Sequence, residues 1–279
     1  NYADFGLGTF QPKNGFYDLV NAMVTLGKSL GVSYKINHSL QKIEIKGNKA
    51  NKLIFENKEY DCDIVVSGAD YHHTETLLPY KFRQYSEKYW AKRVFAPSSL
   101  LFYVGFNKKV KNVNHHNLFF DTDFDKHAEE IYDNPRWPSD PLFYANFTSK
   151  TNHKTAPLNC ENGFFLIPIA TNLEDTNETR EKYFNLIIKK LESFTKQDLR
   201  DSIIYKRSFC VSDFKNEYNS YGGNAYGLAN TLFQTAFLRP NIKSKLVQNL
   251  YFCGQLTVPG PGVPPAIVSG ELVANLINK

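Results

Sequence analysis

No stretch of this 279-residue chain approaches the roughly 20 consecutive apolar residues that a membrane-crossing helix needs. The longest apolar run, residues 164–170, is strand-sized. The four cysteines stand far apart at 62, 160, 210 and 253. They form no C-x-x-C or Cys/His pattern, which argues against a structural zinc and against a disulfide framework. Cys62, Cys210 and Cys253 have strand-like neighbours and are expected to be small buried hydrophobes in a reducing compartment. A strong excess of one charge sign is missing too. The net +5 comes from dispersed lysines, and no basic helix with base-reading residues occurs, so no nucleic-acid partner is expected. Internal repeats and low-complexity segments are missing. Aromatic residues, by contrast, make up 15% of the chain, a composition suited to large apolar surfaces or pockets.

The periodicities divide the chain into three parts. Residues 15–30 read as a helix, with Phe16, Leu19, Val20, Met23, Leu26 and Leu30 at 3–4 spacing and Gly31 in the C′ position. A short strand is expected at 32–36, then a hairpin of 40–45 and 52–55 around Gly47-Asn48. Residues 62–69 read as an apolar strand buried on both faces of a parallel sheet. After Pro79 the pattern becomes α+β. Strands are expected at 98–106, 118–121, 142–147, 164–169 and 202–211, with a helix at 179–194. The two most apolar of these segments, 100–105 and 164–169, suit either a packed core or the wall of a substrate tunnel. The chain then returns to α/β style. The expected parts are residues 1–79, 80–240 and 241–279. The opening Asn1-Tyr-Ala-Asp-Phe-Gly reads as the interior of something longer.

The most informative segment is 249–277. An apolar strand over 250–253 runs into Gly254, a Gly/Pro-rich turn, and a helix starting near Pro265. Such a turn brings backbone N–H groups at a helix N-terminus to an electron-rich ligand. Glycine permits the close approach, and proline costs little in a first turn. Ser67, Gly68 and Ala69 end the buried strand where an open sheet places ligands. His72-His73 and His115-His116 are adjacent pairs without a carboxylate at ligand spacing, so no metal is expected; His72 or His73 is a candidate proton acceptor. Residues 81–93 hold five basic residues and one acidic. Phe82, Tyr85 and Tyr89 share a face if the segment is one helix, which suits either a membrane-surface helix or an ordinary core face.

Four motifs together resemble one family. They are NLYFCGQLTVPGPGVP at 249–264, ADYHHTETLL at 69–78, FAPSSLLFY at 95–103 and NSYGGNAYG at 219–227. The chain resembles, over essentially its whole length, the bacterial carotenoid/phytoene desaturase family of FAD flavoproteins, in its Bacteroidetes type. The resemblance implies an α/β plus α+β, two-domain FAD-linked flavoprotein of amine-oxidase/phytoene-desaturase-like architecture, with a mixed or antiparallel substrate-domain sheet bearing helices. Family members open on a strand, a G-x-G-x-x-G turn and a helix. Gly6 and Gly8 here are not in that register, so the N-terminal Rossmann half is expected to be missing from this chain. The implied cofactor is FAD, contacted by Gly254, Gln255 and Leu256 on the ribityl and phosphate side. Gly262, Val263, Pro264 and Ala266 are assigned to the flavin's N1/C2=O edge, with N–H groups from Val263 and Ala266. Leu40 is expected under the adenine, and Ala69 at the strand end. The implied reaction is desaturation of a carotenoid precursor, phytoene to lycopene. A later-step carotenoid desaturase, isomerase or ketolase and a non-catalytic fragment with an apolar groove are the alternatives. The partners implied are a carotenoid polyene, the membrane surface at which a cytoplasmic enzyme would meet it, and quinone or oxygen as electron acceptor.

Overall fold

Two apolar runs flanking Gly47-Asn48 pair as expected and begin a three-stranded sheet. The computed structural model describes residues 6–8, 10 and 12–279; the chain's opening residues 1–5 lie outside the described residues. Strands β1 (Leu40–Lys46) and β2 (Lys49–Phe55) form the hairpin. Gly47 has φ +65°, as the first position of a primed two-residue turn requires. A third strand, β3 (Glu59–Asp61), adds antiparallel to β2. It has too few apolar residues to show alternation.

The apolar segment at 62–69 contributes only β4 (Val65–Ser67), which pairs in parallel with β10 (Leu250–Phe252). The parallel pairing is as expected, but burial on both faces is not. Val65 is buried, whereas Ile64 and Val66 are 46% and 47% exposed. Asn249 ties this pair to the hairpin. Its side chain bonds both the N–H and the carbonyl of Ala50, at 2.7 and 2.9 Å, and the carbonyl of Asp63 at 2.7 Å.

The third sheet is five-stranded and antiparallel, in the order β6-β7-β8-β5-β9. Its strands are β5 (Ser98–Phe106), β6 (His116–Phe119), β7 (Phe143–Asn146), β8 (Glu161–Ile169) and β9 (Ile203–Phe209). Alternation decides its faces. Leu100, Phe102, Val104, Phe165 and Ile167 point to a core shared with Tyr183, Ile187, Ile188 and Leu191 on helix α5 (Asn177–Thr195). Thr176 caps α5 by accepting from the N–H of Thr179. The opposite face carries Leu101, Tyr103, Tyr144, Phe164 and Leu166, which are half-buried or exposed.

The remaining helices are α1 (Tyr17–Ser29), α2 (Tyr71–Thr76), α3 (Glu87–Ala91), α4 (Phe124–Tyr132), α6 (Val211–Tyr218) and α7 (Val263–Ile277). Helix α1 ends at Gly31 with φ +84°, as expected, yet buries none of its residues. The strand expected at 32–36 does not form. Its apolar residues are exposed, and it has no ladder partner among the described residues. The single helix considered for 80–95 is also corrected. A 3₁₀ turn (Tyr80–Phe82) ends at Arg83, which is extended, and Ser86 is extended before α3. The aromatic side chains instead pack inward. Trp90 is fully buried, Tyr85 stacks on Tyr89 at 4.3 Å, and Tyr71 stacks on Phe252 at 3.7 Å. Among the described residues no helix is long and apolar enough to cross a membrane.

Candidate cofactor and substrate site

Two cavities meet at the C-terminal end of β4. The first, about 350 Å³, is lined by Gly68, Ala69, Asp70, Phe214, Asn224, Cys253, Gln255 and Leu256 among others. The second, about 360 Å³, is lined by Leu40, Ile43, Val65, Ala69, His73 and Leu77 among others. Gly68 and Ala69 belong to both. Ala69 is thus shared, while Leu40 lines the second cavity and Gln255 and Leu256 line the first, on either side of the Gly68–Ala69 strand end. Open sheets of this kind leave a crevice at such a strand end.

Gly254 and Gly262, both of positive φ, shape the turn between β10 and α7, and neither lines either of these cavities. Gly254 has φ +100°, and a Cβ there would meet only the Gly68 carbonyl, at 3.8 Å. Its N–H is held by Ser269 Oγ at 2.8 Å. Gly262 is the N-cap of α7, with φ +116° and no side-chain cap. Val263 and Pro264 are exposed at the first turn. One expected role is corrected: the N–H of Ala266 donates to the carbonyl of Gly262 at 3.0 Å and is used inside the helix. Val263 retains the free N–H position, and Pro264 has none. None of the residues from 262 to 266 lines either cavity.

Polar staples around the cavities were not read from the sequence. Asp70 caps α2, accepting from the N–H of His73 at 3.2 Å, while its other oxygen accepts from the N–H of Tyr221 at 3.1 Å. Burial raises its pKa against these two bonds. Asp70, an N-cap residue directly after the apolar strand, was the available signal. Asn224, fully buried, accepts from Gly227 N–H at 2.7 Å and from the Gln255 side chain at 3.3 Å. It therefore fixes the 219–227 loop against the turn that follows β10. Glu75 is buried in the aromatic cluster and accepts from the N–H of Gln84 at 2.8 Å. Desolvation pushes its carboxyl up to about 7.

The histidines separate by role. His72 pairs with Glu87 at 2.9 Å, away from both cavities. His73 lines the second, and burial lowers its pKa, so it is neutral near pH 7. The rings of His115 and His116 stack at 4.2 Å instead of diverging. Among the described residues no group of three or more His, Cys, Asp or Glu could hold a metal. Of the cysteines expected to be buried, Cys210 is, whereas Cys62 and Cys253 are half-buried.

The family model for flavin containing amine oxidoreductases matches residues 1–278, and the chain belongs to that family. It is 42% identical to the carotenoid 3,4-desaturase of Haloarcula japonica, over 99% of this chain and 56% of that protein. It is 28% identical to the 1-hydroxycarotenoid 3,4-desaturase of Flavobacterium sp., over 99% of this chain and 56% of that protein. It is 29% identical to a lycopene-forming phytoene desaturase of Pantoea ananas, over 97% of this chain and 56% of that protein. The chain spans about half the length of these relatives. Its fold is similar to that of an oxidoreductase from Methanosarcina mazei. The TM-score is 0.61 at 14% identity, with 96% of this chain and 55% of that one covered. This is the mixed α/β fold expected from the motifs.

Proposed function

We propose that this chain is the part of an FAD-dependent carotenoid desaturase that holds the flavin edge of the cofactor and the floor of the polyene site. The observation behind this reading is the pair of cavities that share Gly68 and Ala69, one lined by Leu40 and the other by Gln255 and Leu256. The residues present fit the cofactor. Gly68 lines both cavities without a side chain to fill them, and the uncapped start of α7 favours negative charge. Gly254, Gln255, Leu256, Gly262, Val263, Pro264, Ala266, Leu40 and Ala69 would hold FAD, Ala266 through its backbone position in the first turn. Bound FAD supplies the two-electron acceptor that carbon–carbon desaturation needs.

The chain's own residues supply the rest. From the first cavity, Phe214 and Tyr218 lead to Phe209 and to the uncovered face of the five-stranded sheet. There Leu101 lies opposite Leu166, and Leu166 opposite Tyr144. Tyr103 packs on Phe164 at 5.3 Å. This cross-strand strip suits a long apolar ligand, which needs surface and exclusion of water more than hydrogen bonds. A polyene dissolved in a bilayer is proposed to enter beside Leu232, Phe233 and Phe237, which are 79%, 76% and 88% exposed. Gln234 bonds Val94 at 3.0 and 2.7 Å and so holds this patch beside the basic Lys92-Arg93 pair. Replacing Phe233 and Phe237 by Asp is expected to reduce co-sedimentation with anionic liposomes; unchanged sedimentation contradicts the docking surface.

For the reaction step, the higher identity to a 3,4-desaturase favours removal of two hydrogens across the C3–C4 bond of an acyclic carotenoid. Desaturation of phytoene is the second reading, favoured by the lycopene-forming relative. The full-length protein, loaded with FAD, is to be incubated with phytoene and separately with an acyclic carotenoid saturated at C3–C4. A red-shifted product from the second substrate alone supports the 3,4 step. Colour from phytoene supports the second reading, and no product from either contradicts both.

A further inference from the structure

A full positive charge is buried against the cofactor turn with no anion to match it. Arg239 is 3% exposed, and its acceptors are all neutral. Nη1 donates to the Gln255 carbonyl at 3.1 Å, and Nη2 donates to the Leu228 carbonyl at 3.1 Å and to Asn230 Oδ1 at 2.5 Å. Nε is buried and unpartnered. The guanidinium lies flat against Gly260. A Cβ built there would stand 3.0 Å from Nη2, 3.1 Å from Cζ and 3.3 Å from Nε, so the face of the guanidinium packs on the turn. Burial lowers the arginine's pKa, and no charged neighbour acts on it.

Taking an ion out of water costs several kcal/mol unless a counter-charge compensates. Carbonyl bonds offset part of that cost. A strut between the 228–230 loop and Gln255 needs donors but no net charge. The positive end of α7 begins three residues after Gly260, also without a capping side chain. Two fixed positive sources therefore converge on one turn, and both are complete only when a negative group lies there.

We infer that Arg239 is a positioning residue that holds the 254–262 turn and biases it electrostatically toward the reduced cofactor. This rests on the reading that the turn faces FAD. On reduction the cofactor gains two electrons and one proton, hence one negative charge. A nearby fixed cation favours that form, and its loss makes reduction harder.

The test uses the full-length holoprotein and three variants, with FAD affinity and the flavin midpoint potential as readouts. Arg239→Gln removes the charge. Asn230→Asp leaves the guanidinium in place and gives it a carboxylate partner, which keeps the test valid if the first variant fails to fold. Arg239→Lys retains the charge with fewer bonds. The expected result is a more negative potential for Arg239→Gln and Asn230→Asp. A tenfold lost preference for the reduced form reads as about 30 mV for this two-electron couple. Arg239→Lys is expected to stay near the wild type. Flavin bound at wild-type potential in Asn230→Asp overturns the inference alone. A wild-type full-length protein without affinity for FAD overturns the flavin reading and this inference with it.

Discussion

The five-stranded sheet and the two-stranded β4–β10 sheet reach order by opposite routes. The first is drawn from one continuous stretch of chain, and α5 closes its core with fully buried Phe102, Phe165, Ile187 and Ile188. The second joins three-residue strands from opposite ends of the chain. It packs Val65, Leu250 and Phe252 into a second, smaller core with Ile43, Tyr71 and Trp90, is tied further by polar links at Asn249, Asp70 and Asn224, and leaves cavities where its loops meet. Dense packing gives stability and no room for a ligand. A smaller core whose rim is held by polar staples and glycine turns leaves open hollows at that rim. The contrast explains why the cofactor and substrate reading falls on the junction of the two regions.

Substitutions should break the comparison in order of size. Phe165→Ala, in the closed core, is expected to cost about 3–5 kcal/mol, measured by denaturant unfolding. Glu75→Gln, in the aromatic cluster behind β10, tests the opposite sign. The Glu75 carboxyl titrates at about 7 in the folded protein against 4.5 ordinarily, so the native state keeps a proton that the unfolded chain releases. Its stabilising contribution is complete below about pH 4.5 and is lost as pH rises through 7, a swing of about 3 kcal/mol. The Gln variant should flatten that pH dependence and be the more stable form at pH 8. An unchanged slope would assign the dependence elsewhere. Asn249→Ala is expected to cost about 1–3 kcal/mol by leaving backbone groups of Ala50 and Asp63 unpaired. It should loosen the β4–β10 end in hydrogen exchange while protection in β5 and β8 is retained. Loss of protection in both would show the two regions to be one cooperative unit. Smallest in stability is Tyr103→Ala on the half-open sheet face, within about 0.5 kcal/mol. Its effect should appear as a raised KM for the polyene with kcat little changed.

The sequence made the closed region readable because burial on one face imposes alternation. Residues 98–106 and the core face of α5 stand where their apolar spacing puts them. In the open region the 40–55 hairpin, the strands at 65–67 and 250–252 and the glycine punctuation at Gly31, Gly47 and the 254–265 turn were readable, but the half-exposure of β4 was not. Residues 32–36 look like a strand because apolar alternation says nothing of whether a partner strand exists. Residues 80–95 look like one helix because aromatic spacing does not show that Arg83 and Ser86 are extended. Leu40, Ala69, Gln255 and Leu256 were singled out through motif resemblance. Asp70, Asn224 and Arg239 were missed because their roles depend on contacts across the whole chain, which no local pattern records.

The account turns on whether the glycine turn at 254 holds the cofactor. The most direct measurement is the flavin content and FAD affinity of full-length protein carrying Gly254→Val, with folding checked by circular dichroism. A side chain at φ +100° would be strained and would distort this turn. The expected result is a folded protein that has lost most of its flavin. A folded variant that retains flavin with wild-type affinity would contradict the assignment of this turn to FAD.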